Sequence, residues 1–262
     1  MLFNFKLGFK RYDTGAPYFA SFPFIVEGVP VSGVSCGISS RFAGNMQVGH
    51  SGAGSGRQQN PKRLALFDKL GLNAASVYGL EQIHSHTVVN VGFLNPPAGP
   101  ADGMVCNEPG IVLSVTVADC LPVYLYDTES GAFGIVHSGW KGTGIALKAL
   151  CMMQECFSTR PQAVAAVLGP CIGPCCYNVD AGRAECFEKE FGAASVRESG
   201  GDFYLDLKAA NVRLLKNAGV KNIAVCGNCT FTDENLGSFR REGPENYTRM
   251  AALIQTSCLS NP

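Results

Sequence analysis

Residues 111–144 read IVLSVTVADCLPVYLYDTESGAFGIVHSGWKGTG, and they contain the strongest secondary-structure signals of the chain. Its first seven residues form an apolar run of the kind found in strands that are covered on both faces. The segments PVYLYD and AFGIVH predict two further short strands on either side of the turn at 128–131. The glycine-rich end, from His137, then opens a helix that we predict to run to about Phe157.

Outside this stretch, strands and helices alternate irregularly. Residues 17–36 and 163–169 are typical of strands. Helices are predicted to begin at Pro61 and after the N-cap residue Asp206, the latter ending at Gly219. We therefore predict an α/β (α+β) fold, with one domain over residues 1–262 and mixed β-sheet layers flanked by helices. The polar Gly/Ser-rich segment 44–60 is predicted to be a mobile or functional loop.

The composition excludes several classes of protein. Hydrophobic residues make up 46% of the 262 residues and the net charge is zero, so the chain is not disordered. The 21 basic and 21 acidic residues provide no excess of positive charge for binding nucleic acid or acidic membranes. There is no secretory signal pattern at the N-terminus, which predicts a cytoplasmic protein with reduced cysteines. The oligomeric state stays open.

Twelve cysteines and only four histidines make metal or thiol chemistry the main question. Reactive side chains concentrate in three segments, Gln82–His86, Ala118–Pro122 and His137–Gly142. Two imidazoles and one thiolate form a three-ligand set that suits Zn²⁺ with an open fourth position. His84 and His86 cannot be separated by pattern, because residues i and i+2 share a strand face.

The other cysteines are expected to be packing or turn residues. Cys226 and Cys229 have CxxC spacing without a second pair, and Cys171, Cys175 and Cys176 lie in a Gly/Pro turn. The segment GWKGTG lacks the spacing of a phosphate loop, but its glycines precede a helix whose backbone N–H groups can hold an anion. Arg41 and Lys141 are suitable phosphate partners.

Seven motifs in order connect these segments. They are Gln82-Ile-His84-Ser85, Ala101-Asp-Gly103, Ala118-Asp-Cys120-Leu-Pro-Val123, His137-Ser-Gly-Trp-Lys-Gly142, Gly169-Pro-Cys-Ile-Gly-Pro-Cys-Cys-Tyr177, Cys229-Thr230, and Ser238-Phe-Arg-Arg-Glu-Gly243 with Arg249-Met-Ala251. Together they strongly resemble the YfiH-type laccase-domain family. Weaker similarity extends toward the N-terminus, where Arg41 and Asn45-Met46 are recognisable but the family's glycine pair is not kept. Lys141 stands where the family has arginine.

The resemblance implies a single α/β domain that acts as a zinc-dependent purine nucleoside phosphorylase, cleaves adenosine, inosine and methylthioadenosine, and deaminates adenosine. Another branch of the family edits peptidoglycan precursors. The implied catalytic and metal ligands are His84, Cys120 and His137, with copper as the alternative metal. Arg41, Asn45 and Lys141 are the expected substrate-binding residues. Asp119 is expected to be a supporting group, because strand neighbours point to opposite faces.

Three alternatives belong to other classes. A cysteine amidase or hydrolase would use Cys120 as nucleophile and His137 as base. A copper-binding polyphenol oxidase would use two histidines, one cysteine and a methionine. A metal-binding protein without catalysis would bind the ion but would lack arginine or lysine beside it.

Overall fold

A computed structural model describes residues 1–48 and 60–257. Residues 49–59 of the predicted loop at 44–60 lie outside the described residues. The described strands are β1 (Leu2–Phe5), β2 (Phe9–Arg11), β3 (Pro17–Phe22), β4 (Ile25–Val26), β5 (Val29–Pro30), β6 (Val34–Ser39), β7 (Val77–Gly79), β8 (Val88–Asn90), β9 (Gly103–Cys106), β10 (Val112–Val117), β11 (Leu121–Asp127), β12 (Phe133–Ser138), β13 (Val164–Leu168), β14 (Asn178–Val179), β15 (Val196–Ser199), β16 (Asp202–Leu205), β17 (Asn222–Cys226) and β18 (Met250–Thr256).

Two helices, α1 and α4, begin where the sequence predicts. The described α-helices are α1 (Pro61–Lys69), α2 (Ile145–Phe157), α3 (Ala181–Phe191), α4 (Leu207–Asn217) and α5 (Phe239–Glu242), and single 3-10 turns occupy Arg41–Ala43, Ala74–Ser76, Pro161–Ala163 and Ala193–Ser195. Pro61 is the first residue of α1, and the Asp206 side chain caps α4 by accepting a hydrogen bond from the Ala209 N–H. Across residues 1–48 and 60–257, no helix combines the length and apolar character needed to cross a bilayer.

Two large sheets form the centre of the fold. The seven-stranded sheet has the order β1-β17-β13-β11-β12-β9-β8, and the six-stranded sheet has the order β2-β3-β6-β18-β10-β7. A three-stranded sheet (β14-β16-β15) and the hairpin β4-β5 lie outside them. The seven-stranded sheet mixes parallel and antiparallel pairs. This architecture confirms the predicted α+β class with mixed sheet layers.

Because side chains alternate between the two faces of each sheet, the buried hydrophobic residues form three separate clusters. In β11, Tyr124 packs into the cluster shared by the two sheets, whereas Val123 and Leu125 pack on the opposite face with residues of α2, α3 and α4. The outer face of the six-stranded sheet packs against Leu66 and Phe67 of α1. Both faces of the central strands are therefore covered, which explains their almost uninterrupted apolar sequence.

Strand direction brings several loops to one edge of the seven-stranded sheet. β8 and β9 are parallel, and both β9 and β11 run antiparallel to β12. The starts of β8, β9 and β11 therefore lie at the same edge as the end of β12. β13 is antiparallel to β11, and β17 is parallel to β13, so both also end at this edge. The loops found there carry His84, Asp102 and Cys120, and His137 lies near the end of β12.

Candidate metal centre

The three predicted ligands meet at this edge. Cys120 directly precedes β11, and His137 is the next-to-last residue of β12, where it lies opposite Pro122 in the antiparallel register. His84 belongs to the loop before β8. One ligand atom from each side chain lies within 4.8 Å of the others, and Cys120 Sγ is 4.0 Å from His84 Nε2. The two imidazole rings are nearly perpendicular, at 74°, with centroids 4.8 Å apart.

Asp102 positions both histidines at once. Its side chain is fully buried, and Oδ1 accepts hydrogen bonds from the His84 N–H at 3.0 Å and from His137 Nδ1 at 2.9 Å. Oδ2 accepts from the backbone N–H groups of Ile83 and Ser85, and from the Ser85 hydroxyl. Because a carboxylate only accepts hydrogen bonds, His137 carries its proton on Nδ1, and Nε2 is free for an ion.

The His84 loop is held in an unusual conformation. His84 has a φ of 58°, a backbone conformation that residues other than glycine adopt rarely. Gln82 fixes the start of this loop to β10, since its Oε1 accepts hydrogen bonds from the Thr116 N–H and hydroxyl, and its Nε2 donates to the Thr116 carbonyl. The hydrogen bonds of Gln82 and Asp102 thus hold His84 in a backbone conformation that would be unfavourable without them.

The structure separates His84 from His86. The strand expected here begins only at Val88, so the argument that the two histidines share a strand face is wrong. His86 turns toward the entry of α2, where its Nε2 lies 3.1 Å from the Thr143 carbonyl oxygen. Of these two histidines, His84 is the one that contributes to the group of three ligands.

The expectation that Asp119 and Cys120 are neighbours on a strand is also wrong. Residues 118–120 form a loop between β10 and β11, and Asp119 has a φ of 82°, so it and Cys120 are not strand neighbours. Asp119 is nevertheless a supporting group. It is buried and accepts hydrogen bonds from the Thr230 hydroxyl at 2.5 Å and from the Arg240 N–H at 2.7 Å. These bonds tie the Cys120 loop to the C-terminal part of the chain.

The electrostatics favour a charged sulfur at this site. Burial raises the pKa of Cys120, but the adjacent His137 and His84 outweigh it, and the pKa falls to about 6. For His137, burial lowers the pKa, while Cys120 and Asp102 raise it to about 9. Both shifts favour the charged forms of the pair, a thiolate on Cys120 and an imidazolium on His137.

Gly139 leaves room for the ligands. A Cβ atom at this position would lie 2.9 Å from Cys120 Sγ and 3.5 Å from His84 Cδ2. The first distance is shorter than van der Waals contact, so a larger residue must push the sulfur away. The glycine of the His137–Gly142 motif is thus required beside the ligands, in addition to any role in the turn.

The Gly139→Ala variant is therefore expected to bind metal at least about tenfold more weakly, because its methyl group displaces the Cys120 sulfur by several tenths of an ångström. Competition with a chromogenic chelator measures this affinity. Gly182→Ala is the matched control, since a Cβ there meets only Asp180 Oδ1 at 3.5 Å. Equal affinities in the two variants would show that the contact with Cys120 has no effect.

A cavity of about 1030 Å³ opens over the three ligands. Its wall contains four aromatic side chains, Trp140, Tyr177, Phe239 and Tyr247, and three arginines, Arg183, Arg240 and Arg249. The acidic residues that line it are Glu81 and Asp119, and Asp119 is already hydrogen-bonded. Flat aromatic rings beside guanidinium groups suit a planar ligand that carries or accompanies an anion.

The predicted substrate-binding residues do not line this cavity. Arg41 lies 3.5 Å from the Glu242 carboxylate, and Lys141 Nζ lies 5.5 Å from the Trp140 ring centroid. Asn45 Oδ1 accepts a hydrogen bond from the Arg249 N–H, so it supports a cavity residue indirectly. Direct substrate binding by Arg41, Asn45 and Lys141 stays a prediction.

The donor set fits a thiophilic transition-metal ion. Two imidazole nitrogens and one thiolate, with an open side toward the cavity, match the three-protein-ligand arrangement of catalytic zinc sites. The same donors also bind copper. No methionine is among the described residues that line the cavity, so the sulfur ligand that a mononuclear copper centre adds is not supplied from that wall.

The fold and the site define a class, namely α+β proteins in which a His–Cys–His group that could hold a metal ion lies beneath a cavity. A family model described as "Multi-copper polyphenol oxidoreductase laccase" matches residues 31–257, and the chain belongs to this family of YfiH-type laccase-domain proteins. The purine nucleoside phosphorylase of Corynebacterium glutamicum is 36% identical over 190 residues, which cover 70% of this chain and 76% of the relative.

A second curated relative and a solved structure are also similar to this chain. The purine nucleoside phosphorylase YfiH of Shigella flexneri is 34% identical over 202 residues, covering 75% of this chain and 79% of the relative. Among solved structures, YlmD from Geobacillus stearothermophilus superposes with a TM-score of 0.77 at 27% identity, covering 95% of this chain and 98% of that one. Relatives with this name support an enzyme that acts on a small molecule.

Proposed function

We propose that this chain is a zinc-dependent purine nucleoside phosphorylase in which His84, Cys120 and His137 hold the ion. One observation carries the proposal: the three ligands lie under a cavity whose wall combines aromatic rings with arginines. The relatives named purine nucleoside phosphorylase support the same reaction. We further propose adenosine, inosine and methylthioadenosine as substrates, with deamination of adenosine as a second reaction and the cytoplasm as the location.

Phosphorolysis moves a ribosyl group from the purine to phosphate. A phosphate oxygen forms a bond to C1′, the bond from C1′ to N9 breaks, and the purine leaves with that electron pair and takes up a proton. When bound, Zn²⁺ supplies Lewis-acid stabilisation of the negative charge that develops on the substrate. The chain supplies most of the rest by positioning the reactants and by electrostatic complementarity.

The aromatic wall accounts for binding of the purine. The rings of Phe239 and Tyr247 pack in an edge-to-face arrangement, with centroids 5.0 Å apart, and Trp140 and Tyr177 also line the cavity. A purine stacked on such rings exchanges water contacts for apolar ones while its ring edges stay available for hydrogen bonds. These side chains bind and orient the base and exclude water from the bond that breaks.

Arg240 and Arg249 are the proposed phosphate ligands. Both line the cavity, and their guanidinium groups interact with uncharged partners: Arg240 donates to Asn178, and Arg249 donates to Gln47 at 3.1 Å. Neither positive charge is neutralised by these contacts. Arg183 differs, because it lies 3.8 Å from the Asp180 carboxylate. Within residues 1–48 and 60–257, neither Arg240 nor Arg249 forms an ion pair, and two such guanidinium groups are suited to bind a phosphate dianion.

Replacing Arg249 by glutamine is expected to raise the KM for phosphate about tenfold or more, since a charge-assisted hydrogen bond contributes roughly 1.5–3 kcal/mol. The ratio of phosphorolysis to deamination should fall, because deamination consumes no phosphate. Steady-state assays with varied phosphate measure both quantities. Arg197→Gln, an exposed position on β15, is the matched control. An unchanged phosphate KM in Arg249→Gln would remove this residue from the phosphate site.

A panel of nucleosides tests the proposed reactions together. Purified protein is incubated with adenosine, inosine and methylthioadenosine, with and without phosphate, and the products are separated by chromatography. Free bases with ribose 1-phosphate (or its methylthio analogue) are expected only with phosphate, and adenosine without phosphate should yield inosine and ammonia. Protein with stoichiometric zinc that leaves every nucleoside intact would contradict the proposal.

One feature supports a second candidate, a cysteine amidase or hydrolase that edits peptidoglycan precursors. Asp102, His137 and Cys120 form a series of acid, base and thiolate, with the first contact at 2.9 Å. In this reaction the Cys120 sulfur attacks a carbonyl carbon, His137 protonates the leaving amine, and water then releases the acid. Amide cleavage that persists in chelator-treated protein and disappears in Cys120→Ser would favour it over phosphorolysis.

A further inference from the structure

A second group of thiols lies outside the cavity site. Cys175, Cys176 and Cys229 each place their sulfur within 4.8 Å of the other two. The Gly/Pro-rich sequence predicts that Cys175 and Cys176 are turn residues, and the CxxC spacing makes Cys229 half of an isolated pair. The structure instead brings them together, although Cys176 and Cys229 are 53 positions apart in the sequence.

The sheet explains this meeting. β13 and β17 are parallel neighbours, so the loops that follow them leave the same edge. The pairing continues past the strands as a bridge between Cys171 and Cys229, and the Thr230 N–H donates to the Cys171 carbonyl. The chain then turns at Gly173, whose carbonyl accepts from the N–H groups of Cys176 and Tyr177. This turn directs two thiols back toward Cys229.

The local geometry suits a shared ion. Cys175 Sγ and Cys176 Sγ are 3.5 Å apart, and the Gly173 N–H donates to Cys229 Sγ at 3.2 Å. Sulfurs that share one zinc ion at about 2.3 Å stand roughly 3.8 Å from each other, which small side-chain rotations reach here. A Cβ at Gly173 would lie 3.4 Å from Cys175 Sγ and 3.6 Å from Cys229 Sγ, so glycine keeps the space between them open.

An ion can reach the three thiols from the solvent. Cys229 is buried, Cys176 is half-buried and Cys175 is exposed, so the three thiols extend from the interior to the surface. Three thiolates without a carboxylate or imidazole in the group select soft ions, chiefly Cu⁺ and Zn²⁺. A metal would replace the thiol protons, which the solvent accepts.

We propose that Cys175, Cys176 and Cys229 form a second metal site, which binds a thiophilic d¹⁰ ion, Zn²⁺ or Cu⁺. The ion clamps together two loops that shape the cavity. One loop carries Tyr177, which lines the cavity, and the other carries Thr230, whose hydroxyl donates to Asp119 beside Cys120. The site is structural and independent of the reaction proposed above.

Metal counting tests this site. Fully reduced protein is loaded anaerobically with Zn²⁺ or, separately, with Cu⁺, desalted, and assayed for metal per chain. We expect Cys175→Ser and Cys229→Ser to hold one ion fewer than the parent chain with at least one of the two metals. The same difference is expected in a His84→Ala background, which separates this site from the first one. Cys186→Ser, an exposed cysteine of α3, is the matched control and should hold as many ions as the parent.

Alkylation gives a second readout that needs no variant. Iodoacetamide and peptide mass mapping should modify Cys175 in metal-free protein, and loading should slow that reaction at least about tenfold while Cys186 reacts as before. Equal metal counts in the parent and in Cys175→Ser, together with unprotected Cys175 under both metals, would overturn the proposal. Loss of two free thiols in air without any metal dependence would also overturn it, by showing a disulfide instead.

Discussion

The His137→Ala variant is expected to lose most of its bound metal and at least about 100-fold of its nucleoside turnover. Removing this ring deletes one of three ligands, and it leaves the buried Asp102 carboxylate without its partner at 2.9 Å. Even groups that only orient a ligand change metal affinity by about 10–100-fold when they are replaced, so loss of the ligand itself should cost more. Metal per chain and turnover of inosine with phosphate measure the two losses.

His86→Ala is the matched control for this variant. His86 lies two residues from His84 in sequence, but its ring contacts the Thr143 carbonyl and does not belong to the ligand group. We expect His86→Ala to keep its metal and most of its turnover. If both variants lost metal equally, the effect would come from disturbance of the loops. Full metal content and turnover in His137→Ala would remove His137 from the site.

Asp102→Asn is expected to weaken metal binding by about 10–100-fold and to lower the free energy of unfolding. Asparagine has one side-chain oxygen, whereas both oxygens of Asp102 accept hydrogen bonds from the His84 loop. The new NH₂ group must face N–H donors, and each buried polar group left without a partner costs about 1–3 kcal/mol. Chelator competition and urea unfolding measure the two effects.

Asp127→Asn separates positioning from stability. Asp127 is also buried, accepts hydrogen bonds from the Glu129 N–H and the Ser130 hydroxyl, and lies at the other end of β11 from Cys120. We expect this variant to lose stability while it keeps its metal affinity. Asp102→Asn should lose both. A metal affinity in Asp102→Asn equal to that of Asp127→Asn would mean that Asp102 is only a structural carboxylate.

The pH dependence of stability follows from the same carboxylate. Burial raises the pKa of Asp102, but its hydrogen bonds to His137 and Ser85 outweigh burial, and the pKa falls to about 2. A depressed pKa contributes stability that is fully present above the ordinary carboxyl pKa and is lost as the pH falls toward 2. The stability difference between the parent and Asp102→Asn should therefore be largest at neutral pH and should shrink below about pH 4.

Much of the fold can be predicted from local sequence. The apolar run of β10 and the strands around 128–131 follow from hydrophobic pattern, and the starts of α1 and α4 follow from Pro61 and Asp206. The order of the strands does not follow from local sequence, because β1 pairs with β17 and β6 pairs with β18, which lie near opposite ends of the chain. Periodicity also leaves open whether the residues of β18 form a strand or a helix, and the sheet decides this.

The motifs and the resemblance they carry predict His84, Cys120 and His137 as ligands, and the structure brings these three side chains together. The residues that hold them in place could not be predicted from the motifs. Asp102 appears in the sequence only as part of Ala101-Asp-Gly103, and its role depends on the register that sets Gly103 opposite Val136. The strained backbone of His84 and Asp119 likewise leaves no signal in a pattern that assumes regular strands. Arg240 and Arg249 reach the cavity from the C-terminal part of the chain, whereas the sequence patterns favour Arg41 and Lys141 as anion-binding residues.

Removing and restoring the metal ion on the intact chain tests whether phosphorolysis depends on the His84, Cys120 and His137 site. Protein stripped by a chelator is assayed for phosphorolysis of inosine, then titrated with Zn²⁺ in the Cys175→Ser background so that only the His84, Cys120 and His137 site is counted. We predict that turnover disappears in the stripped protein and returns in proportion to one zinc ion per chain, with no return in His137→Ala. Undiminished phosphorolysis in protein that contains no metal would contradict the account.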